Sequence, residues 1–349
     1  MIKEMNILHA CFDSDSNSQL AFATREGFRV LNIDHLEQNL FETSESGVGR
    51  IQLFRSKGTA MVAIVGSGDL AGSSPRKLKI LDVNTRKVVC ELSFQSTILS
   101  CSINSRYIAV CLESKIHIID VNGMKTIKRI VTPINPLGIM AISKSINHSL
   151  LAYPSSSTVG KVTILNIGTI GILSASSDIS YDAHKSPLAC LQLNTDGTLI
   201  ATASITGTLI RVFDTRTGIK ISEYRRGLHH ASITSILFCS FDPILVVGSS
   251  TGTVHIFQLN EKEDLELPIT QSDCKQEQYD KKPRNIFRNI IRNAFTSVQI
   301  ELRNNKNSSR ASYIARVPSI EGPICMNIVD NENGDKTLFV VTPSGYLYR

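Results

Sequence analysis

Tryptophan is absent from this chain, and aromatic residues make up only 6% of its 349 positions. The core must therefore be assembled from aliphatic side chains rather than from large aromatic anchors. No run approaches the 18 or more consecutive apolar residues of a membrane-spanning helix, and none is expected. The start, Met1-Ile2-Lys3-Glu4-Met5-Asn6, has neither a long apolar run nor a small-residue cleavage site, so no secretory leader is read there. The eight cysteines are scattered, without a CxxC pair. That argues against a zinc site and for reduced, mostly buried thiols in a cytosolic setting. There is no HExxH or P-loop and no clustered carboxylate pair, so neither enzymatic activity nor a cofactor or metal is expected. Net charge is +6, too small for a broad basic stripe. With no RNA-binding motif in the chain, nucleic acid is not an expected partner.

What the chain has is abundant Val, Ile, Thr and Ser, which suit strands better than long helices. Its 42% hydrophobic content is enough for a large core. One short phrase recurs: Phe28-Arg29-Val30-Leu31-Asn32-Ile33, Leu78-Lys79-Ile80-Leu81-Asp82-Val83, Ile116-His117-Ile118-Ile119-Asp120-Val121, Val162-Thr163-Ile164-Leu165-Asn166-Ile167, Ile210-Arg211-Val212-Phe213-Asp214-Thr215 and Val254-His255-Ile256-Phe257-Gln258-Leu259. Successive copies end 50, 38, 46, 48 and 44 residues apart. A Gly- or Ser-rich turn usually precedes each copy, and another apolar run precedes the turn. A repeat of roughly 40–45 residues made of short strands is the sign of propeller blades. Each small antiparallel sheet buries its faces only against its neighbours around an axis. A partial copy, Tyr346-Leu347-Tyr348, makes seven. The expected fold is all-β: one seven-bladed β-propeller of WD-like repeats spanning 1–349. The last strand of the seventh blade is expected from the N-terminus or from residues beyond Arg349.

One connection is out of scale. An insertion at about 260–311 separates the sixth phrase from the next strand, expected near Ser312 to Val317, and loops of that length are usually functional or disordered. It opens acidic (Glu261, Glu263, Asp264, Glu266) and turns basic (Lys281, Lys282, Arg284, Arg288, Arg292). Within it Ile286/Phe287, Ile290/Ile291 and Ala294/Phe295 recur every four residues between Arg-Asn pairs. As a helix this stretch has an apolar stripe beside a basic face. Such a helix lies in a membrane interface, packs on the propeller's own surface, or binds a protein partner. Amphipathicity alone does not choose among these.

The double arginine of Tyr224-Arg225-Arg226-Gly227 sits between two strand-like runs. Neighbouring side chains on extended backbone point in opposite directions. One pair can thus serve two anion pockets, each guanidinium gripping phosphate oxygens with two hydrogen bonds. Bare RRG is most often a solvated loop; its surroundings raise its weight here. The YRRG motif, Leu151-Ala152-Tyr153-Pro154-Ser155, Ala183-His184-Lys185-Ser186-Pro187-Leu188-Ala189, Gly207-Thr208-Leu209-Ile210-Arg211-Val212-Phe213 and Thr253-Val254-His255-Ile256-Phe257 together resemble the PROPPIN family, the phosphoinositide-binding propellers of autophagy that include the WIPI proteins. That family carries FRRG where this chain has YRRG; the ring is kept and a hydroxyl added.

The resemblance implies two lipid-headgroup pockets flanking the arginines, with phosphatidylinositol 3-phosphate and phosphatidylinositol 3,5-bisphosphate as ligands. By motif position the first pocket uses His184, Thr202, Ser204, Thr208, Arg211 and Arg225. The second uses Arg226, Ser249, Ser250, Thr253 and His255, with Ser232 or Thr234 as further candidates. Arginine supplies charge and forked donors, Ser and Thr supply hydroxyls, and His donates without fixed charge. Taken singly, Ser and Thr at strand ends are most often plain turn formers. The resemblance also favours membrane insertion by Ile286, Phe287, Ile290, Ile291 and Phe295. It implies autophagy proteins as partners, and a cytoplasmic protein acting peripherally on autophagosome-precursor, endosomal or vacuolar membranes; a monomer is expected, because pockets at a propeller's edge need no partner chain. Arg106 and Lys125 lie where some WIPI proteins carry a partner-binding basic cleft and are given no role. The competing reading is a protein-only propeller scaffold, which has no need of paired arginines among hydroxyls or of a basic amphipathic loop.

Overall fold

Alternation decides each recurring phrase. Ile116 and Ile118 are fully buried on either side of half-buried His117, and four copies of the phrase carry an Asp or Asn that caps the next turn. Asp82 Oδ1 accepts the Asn84 N–H at 2.8 Å, Asp120 Oδ2 the Gly123 N–H at 2.6 Å, and Asp214 Oδ1 the Thr217 N–H at 2.8 Å. Asn166 Oδ1 does the same for Gly168 at 3.0 Å. A short acidic or amide side chain bonding backbone two or three residues on is an Asx turn. The recurrence of Asp and Asn thus has a local cause.

The computed structural model describes residues 6–13, 18–33, 39–43, 46–145, 148–169, 178–240, 242–259, 299–302, 309–317, 322–330, 336–345 and 347–348. These form seven antiparallel sheets, the seven blades of a β-propeller, without a helix. Blade 1 is β1 (Ile7–Phe12), β2 (Gln19–Thr24), β3 (Phe28–Asn32) and β4 (Asn39–Thr43). Blade 2 is β5 (Val48–Ser56), β6 (Thr59–Gly66), β7 (Lys77–Asp82) and β8 (Val88–Ser93). Blade 3 is β9 (Ser100–Ile103), β10 (Tyr107–Cys111), β11 (Lys115–Asp120) and β12 (Lys125–Val131). Blade 4 is β13 (Ala141–Ile142), β14 (Leu150–Pro154), β15 (Gly160–Asn166) and β16 (Ile179–His184). Blade 5 is β17 (Leu188–Leu193), β18 (Leu199–Ser204), β19 (Leu209–Asp214) and β20 (Lys220–Arg225). Blade 6 is β21 (Ile233–Phe238), β22 (Ile244–Ser249), β23 (Thr253–Gln258), β24 (Gln299–Leu302) and β25 (Tyr313–Arg316), in spatial order β21-β22-β23-β25-β24. Blade 7 is β26 (Cys325–Asp330), β27 (Lys336–Val341) and β28 (Leu347–Tyr348). All seven copies of the phrase fall on the third strand of a blade.

Two features differ from the sequence expectation. The N-terminal strand β1 pairs with β2 and opens blade 1, so among the described residues blade 7 has three strands. The ring is drawn together at this seam by the Ile7 N–H donating to Pro343 O at 2.7 Å, and by Ile7, Leu20 and Phe22 packing with Phe339 and Val341. The stretch expected as one long connection carries β24 near its far end. It pairs with β25 from Gln299 opposite Arg316 to Leu302 opposite Tyr313.

The core lies between blades. Leu78 and Ile80 of blade 2 pack with Ile108 and Val110 of blade 3; Ile210 and Val212 of blade 5 pack with Leu245, Val247 and Phe257 of blade 6. Each such side chain contributes roughly 1.5–3 kcal/mol on burial. The ring of sheets is the scaffold that holds the strand ends around YRRG. Burial also pushes the free thiol of Cys111 up to about 11.

Candidate functional site

Tyr224, the last residue but one of β20, is 1% exposed, its ring 5.0 Å from that of Phe257 in the core between blades 5 and 6. The aromatic residue of the motif is thus an anchor. It fixes the chain at the point where Arg225 and Arg226 emerge. The Arg226 N–H donates to Thr208 O at 2.9 Å, and the Arg225 N–H donates to Ser309 O at 2.8 Å. Arg225 also forms a parallel bridge with Arg310, from the far limb of the insertion.

The first set of residues is a connected chain across blades 4 and 5. Thr202, Arg211 and Glu223 stand opposite one another on β18, β19 and β20. His184 Nε2 and Thr202 Oγ1 are 3.0 Å apart, and Thr202 Oγ1 donates to Arg211 O at 3.3 Å. The Arg211 guanidinium donates from Nη1 to Ala183 O at 2.6 Å and pairs from Nε with Glu223 Oε2 at 2.8 Å. Lys220 reaches the same carboxylate oxygen at 3.1 Å. His184 is 7% exposed, and burial, with nearby Arg211 second, lowers its pKa to about 4, so it is a neutral hydrogen-bonding group at pH 7. The Arg211 hydrogen bond comes first in holding Glu223 below the usual carboxylate range. Ser204 is engaged with Thr206 at 2.8 Å. Thr208 is half-buried and contributes its backbone carbonyl to Arg226.

The second set surrounds a cavity of about 450 Å³, within the roughly 300–1,000 Å³ range of small-molecule sites. Its polar wall is Arg225, Arg226, Arg310, Arg316, His229, His255, Thr251 and Thr253; Leu228, Ala311 and Ile314 give it an apolar side. No acidic residue is among the described residues that line it. Arg226 is braced by backbone, with Nε donating to Gly207 O at 2.7 Å and Nη2 donating to His229 O. Burial lowers its pKa from the ordinary arginine value. His255 Nε2 lies 3.1 Å from Thr253 Oγ1, with its ring stacked near Phe257.

Of the residues expected in the second pocket, Arg226, Thr253 and His255 line the cavity. Ser249 is buried behind it, 2.8 Å from Thr253 Oγ1. Ser250 and Ser232 hold each other's turns, through Ser232 N–H to Ser250 Oγ at 3.2 Å and Ser250 N–H to Ser232 O at 2.9 Å. Thr234 is exposed on β21 and does not line the cavity. Arg225, assigned by motif position to the first pocket, lines the second together with Arg226. Arg310, Arg316, Thr251 and His229 were not foreseen. The signal for Arg316 is register, since it stands opposite Thr253 across β23 and β25. Ile286, Phe287, Ile290, Ile291 and Phe295 lie outside the described residues. Among the described residues no helix is long and apolar enough to cross a membrane, and no group of three or more His, Cys, Asp or Glu could hold a metal ion.

The fold is a seven-bladed propeller with paired arginines and buried hydroxyls between blades 5 and 6. The profile of the PROPPIN family matches residues 8–280, and the chain belongs to that family. It is 33% identical to Autophagy-related protein 18 of Komagataella pastoris over 74% of this chain and 52% of that protein. With Autophagy-related protein 18 of Yarrowia lipolytica the identity is 36%, over 69% of this chain and 64% of that one. The chain therefore spans about half to two thirds of the length of these curated relatives. Among solved structures, Kluyveromyces lactis Hsv2 superposes with a TM-score of 0.64 at 18% identity, covering 97% of this chain and 98% of that one. KlAtg21, solved as a complex with the coiled coil of AgAtg16, superposes with a TM-score of 0.63 at 24% identity over 73% of this chain and 81% of that one. At these identities the structural likeness speaks for the fold.

Proposed function

We propose that this protein is a peripheral membrane effector of autophagy. It binds the headgroups of phosphatidylinositol 3-phosphate and phosphatidylinositol 3,5-bisphosphate through two pockets beside the YRRG motif. The observation that carries this reading is the cavity between blades 5 and 6, lined by four arginines and no carboxylate among the described residues. A phosphorylated inositol presents many acceptor oxygens and no competing cation. Guanidinium forks, hydroxyls and imidazole N–H groups match it donor to acceptor. The first pocket offers His184, Thr202 and Arg211 in one bonded chain, and the second offers Arg226, Thr253 and His255.

A single headgroup contact is weak by itself. Two headgroups and the amphipathic stretch 284–295 engaging one membrane act together, because the second contact is effectively intramolecular. The other blades remain available for protein partners. The complex of KlAtg21 with the AgAtg16 coiled coil supports a partner of the autophagy machinery. The target membranes are the autophagosome precursor, the endosome or the vacuole.

Flotation with liposomes carrying each phosphoinositide in turn tests this reading, comparing wild type with Arg225→Thr/Arg226→Thr. Hydrogen bonds to charged groups contribute about 1.5–3 kcal/mol each. The double variant should therefore lose on the order of a hundredfold in binding to 3-phosphorylated lipids. Unchanged liposome binding by the double variant would sink the proposal. No lipid-dependent flotation of the wild type would leave the protein-only scaffold standing.

A further inference from the structure

The cavity between blades 5 and 6 has two unlike walls. Arginines dominate one; Leu228, Ala311 and Ile314 make the other. Ala311 and Ile314 are buried, at 4% and 8% exposure, and belong to the core between these blades. Leu228 is 77% exposed, so the apolar wall runs from packed core out to solvent at the cavity mouth.

A lone leucine on a surface is ordinary. What sets Leu228 apart is how it is held. Arg226 donates from Nε to Gly207 O at 2.7 Å and from Nη2 to His229 O, and its backbone N–H donates to Thr208 O at 2.9 Å. The second arginine of the motif thus closes the short segment Gly227-Leu228-His229 and ties it to the turn at Gly207. An added Cβ on Gly227 would meet nothing within 4 Å, and His229 and His230 are exposed. The segment stands clear of the blades and yet has a fixed shape. An apolar side chain placed in advance lowers the ordering cost of whatever covers it. A free inositol phosphate is polar on nearly every side and gives Leu228 little to bury. A phosphoinositide carries the same headgroup on glycerol and two acyl chains. Its phosphates suit the arginine wall, and its glycerol and first acyl carbons suit the leucine beside it.

We infer that Leu228 is the contact for the glycerol and first acyl carbons of a phosphoinositide bound in this cavity, so that the site recognises the lipid and not its headgroup alone. This rests on the phosphoinositide reading above and deepens it. In a bilayer the same contact takes Leu228 into the interfacial layer, an apolar point of entry on the blades themselves and separate from the stretch 284–295.

The test compares two water-soluble ligands with the same charged groups: dibutanoyl phosphatidylinositol 3-phosphate and its deacylated form, glycerophosphoinositol 3-phosphate. Calorimetric titration of the full chain gives the ratio of the two affinities for wild type, Leu228→Ser and Leu228→Met. Wild type should favour the acylated ligand about tenfold, the worth of partly burying one leucine. Leu228→Ser should bring the ratio within about twofold, and Leu228→Met, which keeps an apolar side chain of similar size, should restore most of it. The side chain is exposed in the free protein, so the serine variant keeps its fold. A ratio unchanged by Leu228→Ser, or a wild type that binds both ligands alike, would overturn the inference and leave the phosphoinositide reading intact. A wild type that binds neither ligand at about 1 mM would overturn both.

Discussion

Two glycines flank the arginine pair, and their roles are the reverse of what the motif suggests. Gly227 is the glycine of YRRG. An added Cβ there meets nothing within 4 Å, and its φ is not in the left-handed region. Gly207, in the facing turn before Thr208, has φ +62°, and its Cβ would stand 1.7 Å from Ala231 O. Real Cβ contacts stay beyond 3.0 Å, so Gly207→Ala must push the two backbones apart by more than an ångström. The left-handed conformation costs a non-glycine residue about 1–2 kcal/mol. Forcing extra volume into packed structure adds about 1–3 kcal/mol. The Gly207 carbonyl also accepts from Arg226 Nε at 2.7 Å, and disturbing a bond to a charged group costs about 1.5–3 kcal/mol. With partial relaxation, Gly207→Ala should destabilise by about 4 kcal/mol. Gly227→Ala should fall between neutral and a gain of about 0.5 kcal/mol, through the stiffer unfolded chain. Urea denaturation of the two variants measures both, and headgroup titration should show Gly207→Ala impaired and Gly227→Ala within twofold of wild type. A loss above about 1 kcal/mol in Gly227→Ala, or a neutral Gly207→Ala, would refute the steric argument.

Tyr224→Ala should cost about 3–5 kcal/mol, as for other buried aromatic truncations, whereas Tyr224→Phe keeps the ring and should cost less than about 1.5 kcal/mol, as for a shape-conserving swap. Chemical denaturation checks both, and equal losses would show that the ring is not the anchor. His184 gives a pH signature. Its folded pKa is depressed from 6.5 to about 4, so the unfolded chain takes up a proton that the folded chain resists. Stability is unaffected above about pH 6.5, falls as pH drops towards 4 and levels below it, with a total loss of roughly 3 kcal/mol. His184→Gln should remove that part of the acid sensitivity; parallel pH–stability curves for wild type and variant would contradict the assignment.

The repeat was legible because its causes are local. Alternating Ile and Val select strand, and a terminal Asp or Asn closes the turn two or three residues on. Nothing outside a ten-residue window is needed to recognise the third strand of each blade. The YRRG motif was legible once the resemblance gave it a context, whereas the burial of its ring depends on Phe257 of the next blade. Strand β24 was not. Gln299–Leu302 has no partner nearby in sequence except β25, and it lies inside a polar stretch whose composition reads as loop.

The arginine cavity was harder still. Arg310 meets Arg225 across 85 positions of sequence, and no periodicity links them. Sequence reasoning named Ser249, Ser250 and Ser232 beside the motif without their local bonds: Ser249 lies behind Thr253, and Ser232 and Ser250 tie their turns together. Glu223, next to the motif, has no mark of its own in the sequence, although its carboxylate pairs with Arg211. A motif therefore names which side chains sit near a ligand, but charge balance and support depend on strands that pair at long range. In this propeller those strands include the return limb of the insertion, so the second pocket cannot be read from blades 5 and 6 without it.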